Sequence, residues 1–148
     1  MSTENIKPMS DEHIHRYGEI YAAAFNGAPW HDRWKAEDAE IHVRELMEQR
    51  QSYGIEYVVD GDAAGFLLGT SMLFSYGRTF EINDLCVHPD YQGRGIGTAL
   101  LEHCISEMKH RDMAGLNLIT ATEGSLPEFY RRHGFDSPKE VMLMGREL

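Results

Sequence analysis

The chain has 148 residues, of which 42% are hydrophobic, and its 24 acidic and 14 basic residues give a net charge of −10. This length suits one domain, so we expect residues 1–148 to form a single domain. The negative charge argues against sequence-independent nucleic-acid binding, which requires lysine and arginine to neutralise phosphates. The charge either attracts a cationic partner over long range or only keeps the protein soluble.

The sequence contains no membrane-spanning or secretory pattern. No apolar run approaches the ~18 residues of a membrane span, and the first ten residues, MSTENIKPMS, lack the basic and apolar regions of a signal peptide. We therefore expect a cytoplasmic protein that does not bind membranes. In that compartment Cys86 and Cys104 are expected to be reduced core thiols. The histidines do not recur at the spacings of metal ligands, so no metal is expected.

The first half of the chain predicts a strand, two helices and a hairpin. The segment NIKPM is expected to be a short first strand, and Ser10 is expected to cap a helix that NGAPW (26–30) ends. A second amphipathic helix is predicted around 35–50. Two β-rich runs at 55–59 and 65–74 flank Asp60–Gly61, a typical hairpin turn.

The second half alternates strands and helices. Strands are predicted at 79–88 and 116–120, a helix at about 95–110, and a last strand in VMLMGREL (141–148). Ser125 and Glu128 have the spacing of a capping box for a helix at 125–133, which Gly134 can end in a left-handed conformation. This order predicts an α+β domain with a mixed sheet, not a doubly wound one.

A glycine-rich stretch, QGRGIG (92–97), joins the strand at 79–88 to the following helix. Helix N-termini present unpaired N–H groups that suit phosphate, and glycine lets a ligand approach the backbone closely. The stretch lacks the Gly-Lys-Ser/Thr ending of a Walker A loop and the last glycine of a dinucleotide fingerprint. These residues alone indicate either a pyrophosphate cradle or a tight turn that packs a helix on a sheet.

Residues 92–97 also match the pattern Gln/Arg-x-x-Gly-x-Gly/Ala. Together with the preceding DLCVHPDY and the later FYRRHGF (129–135), this stretch strongly resembles the GCN5-related N-acetyltransferase (GNAT) superfamily. The resemblance is close over 79–135, and the other elements follow the family's order. It implies a mostly antiparallel mixed sheet with about four helices, and a V-shaped opening between strands 4 and 5 that holds acetyl-CoA.

The resemblance assigns the cosubstrate contacts. It implies that the main chain of Leu85, Cys86 and Val87 pairs with the pantetheine. The pyrophosphate would lie on the glycine turn, formed by Gln92, Gly93, Arg94, Gly95, Ile96, Gly97 and Thr98.

The resemblance also assigns the acid–base residues. Tyr130 matches the family tyrosine beside the coenzyme sulfur that acts as general acid; the alternative is a half-buried helix tyrosine that packs beside Phe129. Glu81 matches the carboxylate that serves histone-type members as general base, directly or through water. Strand alternation predicts Glu81, Asn83 and Leu85 on one face and Asp84 on the other.

The resemblance further implies that the first two helices and the loop between them form the wall of the acceptor site. Trp30 and Trp34 either contribute an aromatic wall for a cationic amine or cover the core, and Asn83 is a further candidate for substrate contact. Three functions remain open: acetylation of a small, cationic primary amine, acetylation of a protein lysine or N-terminus, and acyl-CoA sensing without catalysis. We expect a monomer or a homodimer.

Overall fold

The structure, a computed structural model, describes residues 3–148. The strands and helices follow one another in the predicted order. They are β1 (Ile6–Pro8), α1 (Ile14–Asn26), α2 (Ala36–Met47), β2 (Ser52–Val59), β3 (Asp62–Phe74), β4 (Gly77–Val87), α3 (Ile96–His110), β5 (Gly115–Leu118) and α4 (Leu126–Arg132).

The sheet has the order β1-β2-β3-β4-β5. Its first four strands pair antiparallel, whereas β4 and β5 are parallel. The helix α3 connects these two parallel strands, as a parallel pair requires a long crossover. The predicted mixed α+β fold, with a mostly antiparallel sheet and four α-helices among the described residues, is confirmed.

Two apolar clusters lie on opposite faces of the sheet. One packs α1 and α2 on the sheet through buried side chains such as Tyr17, Val43 and Phe66. The other packs α3 through Leu100, Cys104 and their neighbours. Both cysteines are buried and carry free thiols. The sheet is therefore covered on both faces, and this arrangement makes its open edges the accessible parts.

Local turn chemistry explains several boundaries. Asp60 and Gly61 both have positive φ, 51° and 82°, which suits a two-residue hairpin turn. Ser10 accepts a hydrogen bond from the Glu12 N–H, but it caps a short 3-10 turn that precedes α1. The capping box predicted at Ser125 is wrong, because Ser125 already has helical torsions and its side chain caps nothing.

A β-bulge interrupts β4 at Asn83. Leu68 of β3 pairs with Asp84 whereas Gly69 pairs with Ile82, so Asn83 is the extra residue. A bulge reverses the facing of the side chains that follow it. The predicted alternation is therefore wrong beyond Ile82: Asp84 lies on the α1–α2 face together with Glu81, and Leu85 packs on the α3 face.

The predicted last strand does not form. Residues 141–148 have no strand assignment, and their apolar side chains lie in solvent. A strand requires a partner edge for its main-chain groups, and this segment meets none in the described chain.

The bulge generates a stability prediction at Gly69. A Cβ there would overlap the Glu81 carbonyl oxygen and lie 2.6 Å from Phe80 Cζ. We expect Gly69→Ala to lower the free energy of unfolding by about 1–3 kcal/mol, since overpacking forces the two strands apart. Gly115→Ala in β5 is the matched control, because a Cβ there meets nothing within 4 Å. Urea unfolding at one protein concentration measures both, and equal effects would contradict the argument.

Candidate active site

The parallel strands β4 and β5 separate after four residue pairs. Their pairing runs from Thr79–Gly115 to Ile82–Leu118, whereas β4 continues to Val87. On its other side β4 remains paired with β3 up to Val87. The last five residues of β4 therefore have an unpaired edge toward β5, and the V-shaped opening predicted between strands 4 and 5 is present.

Hydrogen-bond direction decides which main-chain groups face this opening. The His88 N–H bonds the Ala64 carbonyl of β3 at 2.8 Å. Because main-chain direction alternates along a strand, Cys86 also points its main chain toward β3, and Leu85 and Val87 point theirs into the opening. The Gln92 side chain donates to the Val87 carbonyl at 2.9 Å. The Val87 N–H and the Leu85 main chain thus remain available to a ligand.

The glycine turn closes one end of the opening. Gly93 and Gly95 have φ of 79° and 80°, which glycine adopts without strain. A Cβ on Gly93 would meet no atom within 4 Å, so the space beside its backbone is open. Helix α3 starts at Ile96 with Gly95 as an N-cap that offers no side-chain hydrogen bond. Its first N–H groups are thus unpaired and suit an anion.

A single cavity joins these features. It measures about 1040 Å³, large enough for a drug-sized ligand. Its lining comes from the end of β4, the glycine turn, the segment after β5, helix α4, and the end of α1 with the loop after it. The chemically informative members of this lining are Tyr21, Phe25, Trp30, Asp84, Gly93 and Tyr130.

Tyr130 lies on α4 against the cavity. Its ring stacks on Phe135, with centroids 5.7 Å apart and planes at 4°, and it contacts Phe129 edge-on. Burial, with a smaller contribution from Cys86, raises the pKa of Tyr130 to about 12. An ordinary tyrosine is already protonated at neutral pH, and this shift keeps Tyr130 protonated, so its O–H is able to donate a hydrogen bond.

Asp84 places a buried carboxylate in the same cavity. Its residue is 5% exposed, and its Oδ2 accepts a hydrogen bond from His42 Nε2 of α2 at 2.9 Å. This hydrogen bond is the main cause that raises the pKa of His42. The rings of Tyr21 and Trp34 pack around the imidazole, with centroids 4.7 and 5.5 Å from it. The site thus combines a buried carboxylate with aromatic surface.

Comparison with known proteins decides the family. The model of the acetyltransferase (GNAT) domain matches residues 52–137, more than half of the chain. The chain belongs to the GNAT acetyltransferase family. Members of this family transfer acetyl groups from acetyl-CoA, and the opening beside β4 is where the resemblance located that cosubstrate.

Individual GNAT proteins resemble this chain over different shares of its sequence. An uncharacterized N-acetyltransferase of Methanocaldococcus jannaschii is 29% identical over 96% of this chain and 64% of its own length. The [ribosomal protein bS18]-alanine N-acetyltransferase of Escherichia coli strain K12 is 36% identical over 52% of this chain and 50% of its own. This chain therefore spans less than two thirds of these relatives.

Solved structures of GNAT proteins share the fold. A possible acetyltransferase from Clostridium difficile 630 superposes with a TM-score of 0.83 at 13% identity, covering 97% of both chains. At a sequence identity this low, the superposition shows a shared fold and nothing about function. Among residues 3–148, no helix is long and apolar enough to cross a membrane, and no cluster of histidine, cysteine and acidic side chains could hold a metal ion.

The GNAT site gathers most of the predicted residues. The cavity lining includes Leu85, Cys86, Val87, Gln92, Gly93, Gly95, Ile96, Gly97 and Thr98, together with Asn83, Trp30 and Tyr130. Three predicted residues do not line it. Arg94 lies over the Tyr91 ring at 5.1 Å, and Trp34 packs edge-on against Tyr21. Glu81 pairs with Thr70 at the far side of the bulge.

Sequence reasoning missed Asp84 and His42. Simple alternation assigned Asp84 to the face away from Asn83 and Glu81, and only the bulge brings Glu81 and Asp84 onto one face. His42 lies on α2, 42 residues before Asp84 in the chain, and no local sequence pattern indicates that the two residues meet. An acidic residue inside an apolar strand was the available signal, since buried carboxylates are rare unless paired.

Proposed function

We propose that this protein transfers the acetyl group of acetyl-CoA to a primary amine of a small cationic acceptor. One observation carries the proposal: a single cavity joins the bare glycine turn, a protonated tyrosine and a buried carboxylate. An amine acetyltransferase needs an anion cradle for its cosubstrate, a proton donor for the departing thiolate and an acceptor for the amine proton. The cavity has a candidate for each.

The residues present fit acetyl-CoA. The glycine turn offers open space and unpaired N–H groups to the pyrophosphate, and the Val87 N–H and Leu85 main chain face the opening where the pantetheine would pair. When bound, acetyl-CoA supplies a thioester whose acetyl group is activated for transfer. The chain's own contribution is to bind and orient this group.

Tyr130 is our candidate for the general acid. Its hydroxyl is protonated at neutral pH, as that of an ordinary tyrosine is, and burial raises its pKa further, to about 12. None of the described residues hydrogen bonds that hydroxyl. The hydroxyl can therefore donate to a thiolate as it leaves. Phe129 and Phe135 fix the ring from two sides, so the donor has a defined position.

Asp84 is our candidate for the group that receives the amine proton. A free alkyl ammonium has a pKa of about 10.4 and must lose a proton before it attacks. Asp84 lines the cavity, whereas Glu81, the expected base, lies outside the lining. The hydrogen bond from His42 holds the carboxylate in place. This geometry favours Asp84, and a role for Glu81 would require intervening water.

The acceptor is proposed to be cationic. Tyr21, Phe25 and Trp30 line the cavity near two carboxylates, Asp32 and Asp84. Aromatic faces and carboxylates together bind ammonium groups through cation–π and ionic contacts. The second candidate is a protein N-terminus, which the similarity to the Escherichia coli enzyme favours. Thiol release measured with polyamines, aminoglycosides, amino acids and peptides separates the two, and binding of acetyl-CoA without any turnover would indicate a sensor.

The cradle predicts a selective effect at Gly93. We expect Gly93→Asn to raise the KM for acetyl-CoA at least about tenfold, because the new side chain occupies the space meant for the pyrophosphate. Gly61→Asn is the matched control: Gly61 has φ of 82°, also has open space around it, and lies in the remote β2–β3 turn. Asparagine tolerates this conformation. Steady-state kinetics and urea unfolding should show equal stability losses and a KM effect only at Gly93; an unchanged KM there contradicts the cradle.

The acid role predicts a kcat effect at Tyr130. Tyr130→Phe removes only the hydroxyl, so we expect kcat to fall about 10²-fold or more while the KM for acetyl-CoA changes little. Tyr53→Phe, at a tyrosine that packs on Phe80 away from the cavity, should leave kcat unchanged. A Tyr130→Phe variant as active as the wild type would remove the acid role.

If Asp84 receives the amine proton, neutralising Asp84 should lower activity far more than neutralising Glu81. Asp84→Asn keeps an acceptor for His42 but cannot take a proton, so we expect kcat/KM for the amine to fall about 10²-fold or more. Glu81→Gln should change it less than about twofold, the size of a modest surface effect. The pH profile of kcat/KM separates binding from proton transfer, because only loss of the base shifts activity to higher pH. A larger loss of kcat/KM in Glu81→Gln than in Asp84→Asn would instead identify Glu81 as the base.

A further inference from the structure

Asp32 is a carboxylate at the boundary between the cavity and the protein surface. It lines the cavity. It also belongs to a shallow surface pocket, here called the mouth, which consists of Asp32, Arg33, Trp34 and Asp38. Of these four residues only Asp32 also lines the cavity, so it lies where the cavity and the mouth meet. Two carboxylates against one guanidinium give the mouth a net negative charge.

Hydrogen bonds fix the position of Asp32 in the loop after α1. Its N–H donates to the Phe25 carbonyl at 3.0 Å, and its Oδ2 accepts from Trp34 Nε1 at 3.2 Å. The Asn26 side chain in turn accepts from the Trp34 N–H at 2.7 Å and donates to the Trp34 carbonyl at 3.0 Å. A ligand therefore meets this carboxylate in a defined position, which lowers the ordering cost of binding.

A cluster of three rings connects Asp32 to Asp84. The Tyr21 ring contacts Trp34 on one side and His42 on another, with centroids 5.0 and 4.7 Å away. Trp34 donates to Asp32 and His42 bonds Asp84, so the two carboxylates lie at two ends of this cluster. Burial raises the pKa of Tyr21, and both carboxylates add to the shift. The Tyr21 ring lines the cavity and thus offers apolar surface to a linker between two charged groups.

The two carboxylates differ in their partners. Asp84 is bonded to His42, whose pKa this hydrogen bond raises. In the described part of the chain no basic side chain forms an ion pair with Asp32, and its side-chain partner is the neutral Trp34 indole. Asp32 therefore has its charge available for a cationic ligand.

We propose that the acceptor is an aliphatic diamine, of which one amino group reacts beside Asp84 and the other stays protonated and binds Asp32. This inference rests on the proposed function and names its acceptor class. The reacting nitrogen bonds the acetyl carbon as the thioester C–S bond breaks. Of the two protons that the reacting ammonium loses, one goes to Asp84 and on to solvent, and the other replaces the proton that Tyr130 gives to the thiolate.

The second ammonium keeps its charge throughout the reaction. Its attraction to Asp32, and to the face of Trp30 that lines the cavity, is therefore equal in the ground state and the transition state. Binding of this uniform kind lowers KM without raising kcat. The second charge is thus expected to determine which amines bind, whereas Asp84 and Tyr130 act on the one that reacts.

Matched amines test the second charge. Diaminoalkanes with terminal amino groups and n-alkylamines of the same chain lengths are compared by thiol release at pH of about 7.5, where alkyl ammonium groups are protonated. For the wild type, kcat/KM for the best diamine should be at least about tenfold higher than for the matched monoamine, mainly through KM. Added salt should reduce this ratio, because it screens an exposed carboxylate.

Two variants at the mouth locate the effect. Asp32→Asn keeps an oxygen that accepts from Trp34 Nε1 but loses the charge, so the ratio of kcat/KM for diamine to monoamine should fall close to one. Asp38→Asn is the matched control, since Asp38 belongs to the mouth but does not line the cavity, and it should keep the wild-type ratio. Circular dichroism and acetyl-CoA binding establish that both variants are folded.

The possible outcomes separate this inference from the proposed function. Monoamines acetylated as well as diamines by the wild type, an unchanged ratio in Asp32→Asn, or an equal loss in Asp38→Asn would each overturn the diamine inference and leave the acetyltransferase proposal intact. Turnover of peptides alone would also overturn it and favour a protein N-terminus. Binding of acetyl-CoA without turnover of any acceptor would remove both.

Discussion

The site depends on the unequal pairing of β4. Strand β3 holds β4 along its whole length, whereas β5 holds it over only four residues. A strand with one free edge inside a covered sheet would normally be unstable, because its main-chain groups need partners. Here the pairing with β3 holds β4 in place while its other edge stays open. An extended ligand can then pair with that edge as a strand would, and main-chain bonding of this kind gives affinity without specific side chains.

The bulge at Asn83 adds side-chain chemistry to this open edge. Without the extra residue, Asp84 would face α3 and the apolar cluster there. With it, Asp84 turns to α1 and α2, where His42 donates to it. A buried carboxylate without such a partner would be destabilising, since desolvation penalises the charged form. The bulge and the α2 histidine therefore act together: one directs the carboxylate into the cavity, and the other gives it a hydrogen-bond partner.

The sequence predicted the fold better than the chemistry. Hydrophobic period, the Asp60–Gly61 turn and the glycine stretch placed nearly every strand and helix, because these signals are local. No local sequence signal indicates the bulge, because it depends on how β3 and β4 align. Gly69 permits the bulge but does not determine it. The position of Asp84 and its contact with His42 therefore required the three-dimensional structure. The failed last strand has a similar cause: VMLMGREL has the composition of a strand, but strand formation depends on pairing with an edge, and in the described chain this segment pairs with none.

The shortness of β5 has two consequences that belong together. Because β5 ends at Leu118, β4 is left open on one side, and the chain that follows can form a cavity wall with Ile119 and Thr120. The same short strand makes a weak outer boundary for the sheet, since four residues supply few main-chain bonds. A wall that must hold a cosubstrate in a defined position requires support on the side away from the ligand. In the described chain that support comes from the apolar cluster under α3, against which Leu116 and Leu118 of β5 pack.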